Sequence, residues 1–155
     1  MGTALADLGA VLPVGLSRFV CDRIIVGMLF QIPTTRTMDE IQAELEASAA
    51  RQKFGVIAVH NLQEIMARKS VDLAMECRIF EVCNPLQAKK VLEADGAMST
   101  ALPCRVSVYG KPGAYQLATM LPTAMMGMFG KPELDAVSRE VEGVIVTMMK
   151  DAAGW

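Results

Sequence analysis

Apolar and polar positions recur along the chain with two periods, which divide it into strands and helices. Short apolar runs rich in β-branched residues predict strands over residues 24–32, 54–59, 76–82, 104–109 and 114–120. Apolar residues three and four positions apart predict helices over residues 38–53, 62–69 and 85–94, and two more beginning at Pro122 and Pro132. The order β-α-β-α-β-α-β-β-α-α predicts an α/β (α+β) single-domain sandwich with a mixed sheet of about five strands.

Polar residues at the predicted helix starts support these boundaries. Thr37 and Glu40 have the spacing of a capping box before the first helix. Asn61 is placed to cap the second helix. Asn84 caps the third, where Pro85 occupies the first helical turn.

Short linkers join the predicted elements, so residues 26–155 are expected to form one α/β domain. Residues 1–25 are mostly apolar, but Asp7, Pro13 and Arg18 interrupt them. No run reaches the roughly 20 apolar residues of a membrane span, and no basic lead-in marks a signal peptide. We expect residues 1–25 to form an extension that packs on the domain or on a partner subunit.

Composition narrows the function classes. The 15 basic and 17 acidic residues give a net charge of −2 without basic runs, which argues against nucleic acid as a partner. Aromatic residues make up only 5%, so aliphatic residues and the 12 methionines must fill the core. The four cysteines are too widely and unevenly spaced for a disulfide framework, and no CxxC occurs, which favours a reducing, cytoplasmic location.

Two chemically active residues lie at predicted strand ends, His60 after the second strand and Cys83 after the third. If these strands are parallel, both residues lie at one edge of the sheet, where open α/β sheets bind ligands. A Cys–His pair there could bind a metal ion or activate a thiolate. The alternative for His60 alone is a hydrogen-bonded histidine without a ligand.

Cys83 also precedes the helix that begins at Pro85, whose free N–H groups and dipole would lower the pKa of the thiol. The alternative is a small buried side chain that closes the strand. Cys104 begins the fourth strand and joins this site only if that strand runs antiparallel to the third. Arg105 could bind an anion, or form a surface ion pair.

The remaining sulfur-containing residues favour packing. Cys77 lies six residues before Cys83, roughly 20 Å along an extended strand, so the two cannot share a metal ion unless the strand bends. Cys21 is also expected to pack. Methionines cluster near Pro122, where Met is more typical of a gap-filling residue than of a soft-metal ligand or of the wall of a flat-cofactor pocket. The cluster comprises Met120, Met125, Met126 and Met128.

The stretch from Phe80 to Val106 carries a family resemblance. Its Cys-Asn-Pro at residues 83–85 and Leu-Pro-Cys at residues 102–104, at this spacing, resemble the family called domain of unknown function 302. The resemblance runs from about Val26 to Ala152. It implies a small α/β fold that commonly forms a homodimer, with no established enzyme activity. Within the family, the chain resembles the branch that has a histidine at the position of His60 and a cysteine at the position of Cys77.

We therefore expect a small ligand-binding domain that holds a soft ligand through His60, Cys83 and Cys104, with Arg105 nearby. The candidate ligands are a soft transition-metal ion, a haem-like cofactor and sulfane sulfur. One alternative is a structural or regulatory dimer with buried cysteines. Another is a thiol-dependent redox enzyme, in which one cysteine would react far faster than the rest near neutral pH. No GxGxxG, GxxxxGK[ST], HExxH or GxSxG motif occurs, which argues against dinucleotide-binding enzymes, P-loop enzymes, zinc proteases and serine hydrolases.

Overall fold

The computed structural model describes residues 24–155, which form one sheet and its covering helices. The strands are β1 (Ile24–Val26), β2 (Leu29–Thr34), β3 (Gly55–Asn61), β4 (Glu76–Cys83), β5 (Cys104–Lys111) and β6 (Ala114–Met120). The helices are α1 (Met38–Arg51), α2 (Leu62–Ala67), α3 (Pro85–Ala94), α4 (Pro122–Met128) and α5 (Asp135–Ala153), with 3₁₀ turns at Gly96–Ala101 and Pro132–Leu134. The α/β class is confirmed, and so is the predicted element order from α1 onward.

The sheet has the order β1-β2-β6-β5-β4-β3, and every neighbouring pair is antiparallel. The predicted mixed sheet with parallel β3 and β4 is therefore wrong. A parallel connection needs a crossover helix that packs across the sheet. The intervening α2 has only six residues and buries none of them, so the chain reverses and β4 returns beside β3.

The predicted first strand, 24–32, is also two strands rather than one. Gly27 and Met28 form a tight turn, with Gly27 at φ 64°, a conformation that glycine adopts without steric cost. The chain folds back there, so that Val26 pairs with Leu29. Most of the predicted extension, residues 1–25, lies outside the described residues, as does Cys21.

Helices α1 and α5 pack side by side over one face of the sheet and build the core. The capping box of Thr37 and Glu40 fixes the start of α1 as predicted. The last helix begins at Asp135, because Pro132 starts a 3₁₀ turn instead. No helix among residues 24–155 is long and apolar enough to cross a membrane. Fully buried core residues include Phe30, Ile41, Leu45, Phe80, Val106, Leu117, Ile145 and Met148.

Candidate functional site

Cys83 and Cys104 meet at one end of the sheet. Cys83 is the last residue of β4, Cys104 is the first of β5, and Val82 pairs with Cys104 in the antiparallel register. The sequence predicted that Cys104 would join Cys83 only if their two strands were antiparallel, and β4 and β5 are antiparallel. Neither cysteine forms a disulfide within residues 24–155, and both line a cleft that α3, α4 and α5 close.

The Cys-Asn-Pro segment holds one wall of this cleft in place. The Asn84 side-chain oxygen accepts hydrogen bonds from the N–H groups of Leu86 (2.9 Å) and Gln87 (3.1 Å), and this caps α3. The Asn84 amide nitrogen also donates to the Lys53 carbonyl oxygen at 3.0 Å. Asn84 thus ties the start of α3 to the loop before β3, directly beside Cys83.

The cleft is almost entirely carbon and sulfur. Its cavity holds about 40 Å³, room for roughly two or three water molecules. Four sulfur-containing side chains line it: Cys83, Cys104, and from α4 Met125 and Met126. Sequence reasoning had noted these methionines, but not that the fold brings them to the two cysteines.

One polar atom in the cleft wall lacks a partner. Gln87 donates from Nε2 to Glu140 Oε1 at 2.7 Å, which fixes the orientation of its amide. Its Oε1 is buried and accepts no hydrogen bond from any described residue. A buried acceptor without a hydrogen-bond donor costs stability. The sequence does not identify Gln87 as a site residue, because a glutamine in the first turn of a helix is usually exposed to solvent.

Burial governs the electrostatics of both thiols. Loss of solvation raises the pKa of Cys83. The pKa of Cys104 is raised to about 11 by burial and, secondarily, by the neighbouring Cys83. The predicted net lowering of the Cys83 pKa by α3 is wrong, because loss of solvation outweighs the effect of the helix. Both thiols are therefore protonated near neutral pH.

His60 lies away from the cysteines. It pairs with Ile79 across the β3–β4 ladder, four residues from Cys83, or about 14 Å along the strand. The predicted His60–Cys83 pair does not form, since it depended on parallel strands. The three-ligand metal site of His60, Cys83 and Cys104 fails for the same reason. Within residues 24–155, no three side chains of His, Cys, Asp or Glu lie close enough together to hold a metal ion.

Instead, His60 belongs to a small charged cluster on the sheet surface. Its Nε2 lies 3.4 Å from Glu81 Oε1, and the same oxygen lies 3.4 Å from Arg105 Nε. Arg105 thus forms the surface ion pair that was the alternative to anion binding. Cys77 is buried with its sulfur 4.0 Å from the Ser107 hydroxyl, in agreement with its predicted packing role.

The comparisons with known proteins agree with this fold. The family model described as "Domain of unknown function DUF302" matches residues 30–152. The chain belongs to the DUF302 family. The crystal structure of an uncharacterized conserved DUF302 protein from Bacillus stearothermophilus superimposes with a TM-score of 0.76 at 26% sequence identity, covering 81% of this chain and 98% of the other. No curated protein matches the chain. DUF302 membership thus supports the fold and leaves the activity to the chemistry of the cleft.

Proposed function

We propose that this DUF302 protein binds a small soft ligand through the thiols of Cys83 and Cys104. The observation that carries the proposal is the convergence of two free cysteines, from adjacent antiparallel strands, on one apolar cleft. Thiols are soft donors, and they suit soft metal ions or a sulfur atom rather than hard ions such as Mg²⁺.

The size of the cleft selects among the soft ligands that the sequence suggests. A cavity of about 40 Å³ accepts a single ion or a sulfur atom without rearrangement. A haem-like tetrapyrrole is far larger than this space, and the sole histidine that could serve as its axial ligand lies on the sheet surface. The size therefore supports a metal ion or sulfane sulfur as the occupant.

The protonated state of the thiols supports binding rather than catalysis. A thiol is a poor nucleophile until it loses its proton, and the pKa values of Cys83 and Cys104 are both raised. A soft metal ion can displace these protons because its bonds to sulfur compensate for the cost. Because both thiols are protonated near neutral pH, a thiol-dependent redox enzyme is less well supported than a binding protein. The homodimer and the cytoplasmic location stay predictions.

The test compares cysteine variants for binding of a soft probe, Ag⁺, to the reduced protein under anaerobic conditions. The double variant Cys83→Ala/Cys104→Ala should lose the tightest equivalent of Ag⁺ seen by calorimetry. The control Cys77→Ala, which removes a buried thiol elsewhere on β4, should retain it. Equal binding by the wild type and the double variant would refute the proposed function, provided that circular dichroism shows both to be folded.

A further inference from the structure

We infer that the soft ligand is Cu(I), bound by the sulfur atoms of Cys83 and Cys104 together with a methionine thioether from α4. This inference rests on the proposed function and names its ligand. It adds a second pair of residues, Met125 and Met126, that the sequence alone assigned to packing.

The donor atoms of the cleft favour Cu(I). The sulfur atoms that line the cleft come from three separate elements, β4, β5 and α4, and the other polar side chains in its wall are the neutral Asn84, Gln87 and Ser138. Thiolate and thioether ligands suit Cu(I), zinc and iron–sulfur clusters, and a neutral thioether among so few ligands favours the soft, singly charged Cu(I). Zinc sites are instead completed by further Cys, His or carboxylate ligands, usually in a tetrahedral arrangement.

Helix α4 is held firmly against α5. Pro122 begins this helix and lines the cleft, while the Thr123 N–H and hydroxyl both donate to Glu142 Oε2 on α5, the N–H at 3.0 Å. The side chain of Met126 is 5% exposed, whereas Met128 on the same helix is 69% exposed. The thioethers at the cleft are therefore presented by a fixed helix, and Met128 provides a matched control.

The space between these side chains is also large enough for the ion. Met125 and Met126 line the cleft together with both cysteines, and the cleft is partly open to solvent. Its volume of about 40 Å³ accepts one metal ion without rearrangement of the helices. Methionine is flexible, so a thioether can adjust its position to reach an ion bound there.

Charge balance is compatible with the site. Two thiols release two protons when one Cu(I) enters, so that the bis-thiolate complex carries one net negative charge. The first turn of α3, which follows Cys83 directly, favours negative charge through its dipole. The thioether is neutral, so it adds a metal–sulfur bond without adding to the buried charge.

The experiment is an anaerobic Cu(I) titration of the reduced full chain against the chelator bicinchoninate. We expect Met125→Leu/Met126→Leu to weaken Cu(I) binding by roughly tenfold or more. Removing a residue that only hydrogen-bonds to a metal ligand already costs about tenfold in affinity, and removing a ligand should cost at least as much. The control Met128→Leu should bind as the wild type does. Copper X-ray absorption should detect three sulfur neighbours in the wild type and two in the double methionine variant.

The outcomes separate this inference from the proposed function. Wild-type affinity and coordination in Met125→Leu/Met126→Leu would overturn the thioether ligand, while the cysteine site would stand. If wild-type protein takes up Ag⁺ at the cysteines but no Cu(I), the identity of the metal is wrong. If Cys83→Ala/Cys104→Ala binds Cu(I) as the wild type does, both proposals fail. Circular dichroism confirms that each variant is folded, and leucine preserves the volume and helix preference of methionine.

Discussion

The buried thiol of Cys104 should make the stability of the protein fall at high pH. Its pKa in the folded protein is about 11, against 9.0 for an ordinary cysteine. Below pH 9 the thiol is protonated in both the folded and the unfolded states, so the stability is fully present. Between pH 9 and about 11 the unfolded state ionises first and gains free energy. Two units of pKa correspond to about 3 kcal/mol of unfolding free energy lost across this interval.

The assay is urea unfolding of the wild type and Cys104→Ala at several values between pH 7 and about pH 11. Lysines and tyrosines also titrate in this range, but their effects are common to both proteins and cancel in the difference. The stability difference should stay constant to pH 9 and then change by about 3 kcal/mol in favour of the variant. Val106→Ala, a truncation of a fully buried residue on the same strand, should give a constant difference. A difference that stays constant for Cys104→Ala as well would refute the argument that burial controls this thiol.

Three further predictions test the fold and the site assignment. Phe80→Ala, at a fully buried position of β4, should lower the unfolding free energy by about 3–5 kcal/mol in urea, and a loss below 1 kcal/mol would contradict the described core. Gly110→Ala should destabilise by more than about 1 kcal/mol, because φ is 135° and the new Cβ would lie 2.5 Å from the Ala114 carbonyl oxygen. Gly143→Ala, in an open helical position, should instead stabilise by up to about 1 kcal/mol, so thermal melts of the two variants should shift in opposite directions. His60→Ala should leave the tightest equivalent of Ag⁺ unchanged in calorimetry, whereas a loss of that equivalent would restore histidine to the site.

Local patterns in the sequence were sufficient to predict most helices and strands of the fold. The capping box at Thr37 and the Asn-Pro start of α3 occur where the sequence places them, because helix starts are decided by side chains within one turn. The turn at Gly27, between β1 and β2, is the exception, because the sequence predicts one continuous strand there. A single glycine in an apolar run is compatible with a continuous strand, and only the pairing of Val26 with Leu29 makes it a turn.

The assembly of the site depended on contacts between distant segments. The direction of β4 relative to β3 decided whether His60 would accompany Cys83, and the 14 residues that join these strands allow either direction. The direction of β5 relative to β4 decided whether Cys104 would do so. Similarly, the cluster of methionines was evident in the sequence, but which of them contact the cleft depends on how α4 packs against α5. The thiol pKa values also depend on distant segments. Burial is set by the whole fold, and it raises the pKa of both thiols more than α3 lowers that of Cys83.

The most direct test of the central claim is a crystal structure of the reduced protein loaded with one equivalent of Cu(I) and measured at the copper absorption edge. We predict one anomalous peak in the cleft, at bonding distance from the sulfur atoms of both Cys83 and Cys104. A peak at Cys77 or beside His60, with the cleft unchanged, would contradict it.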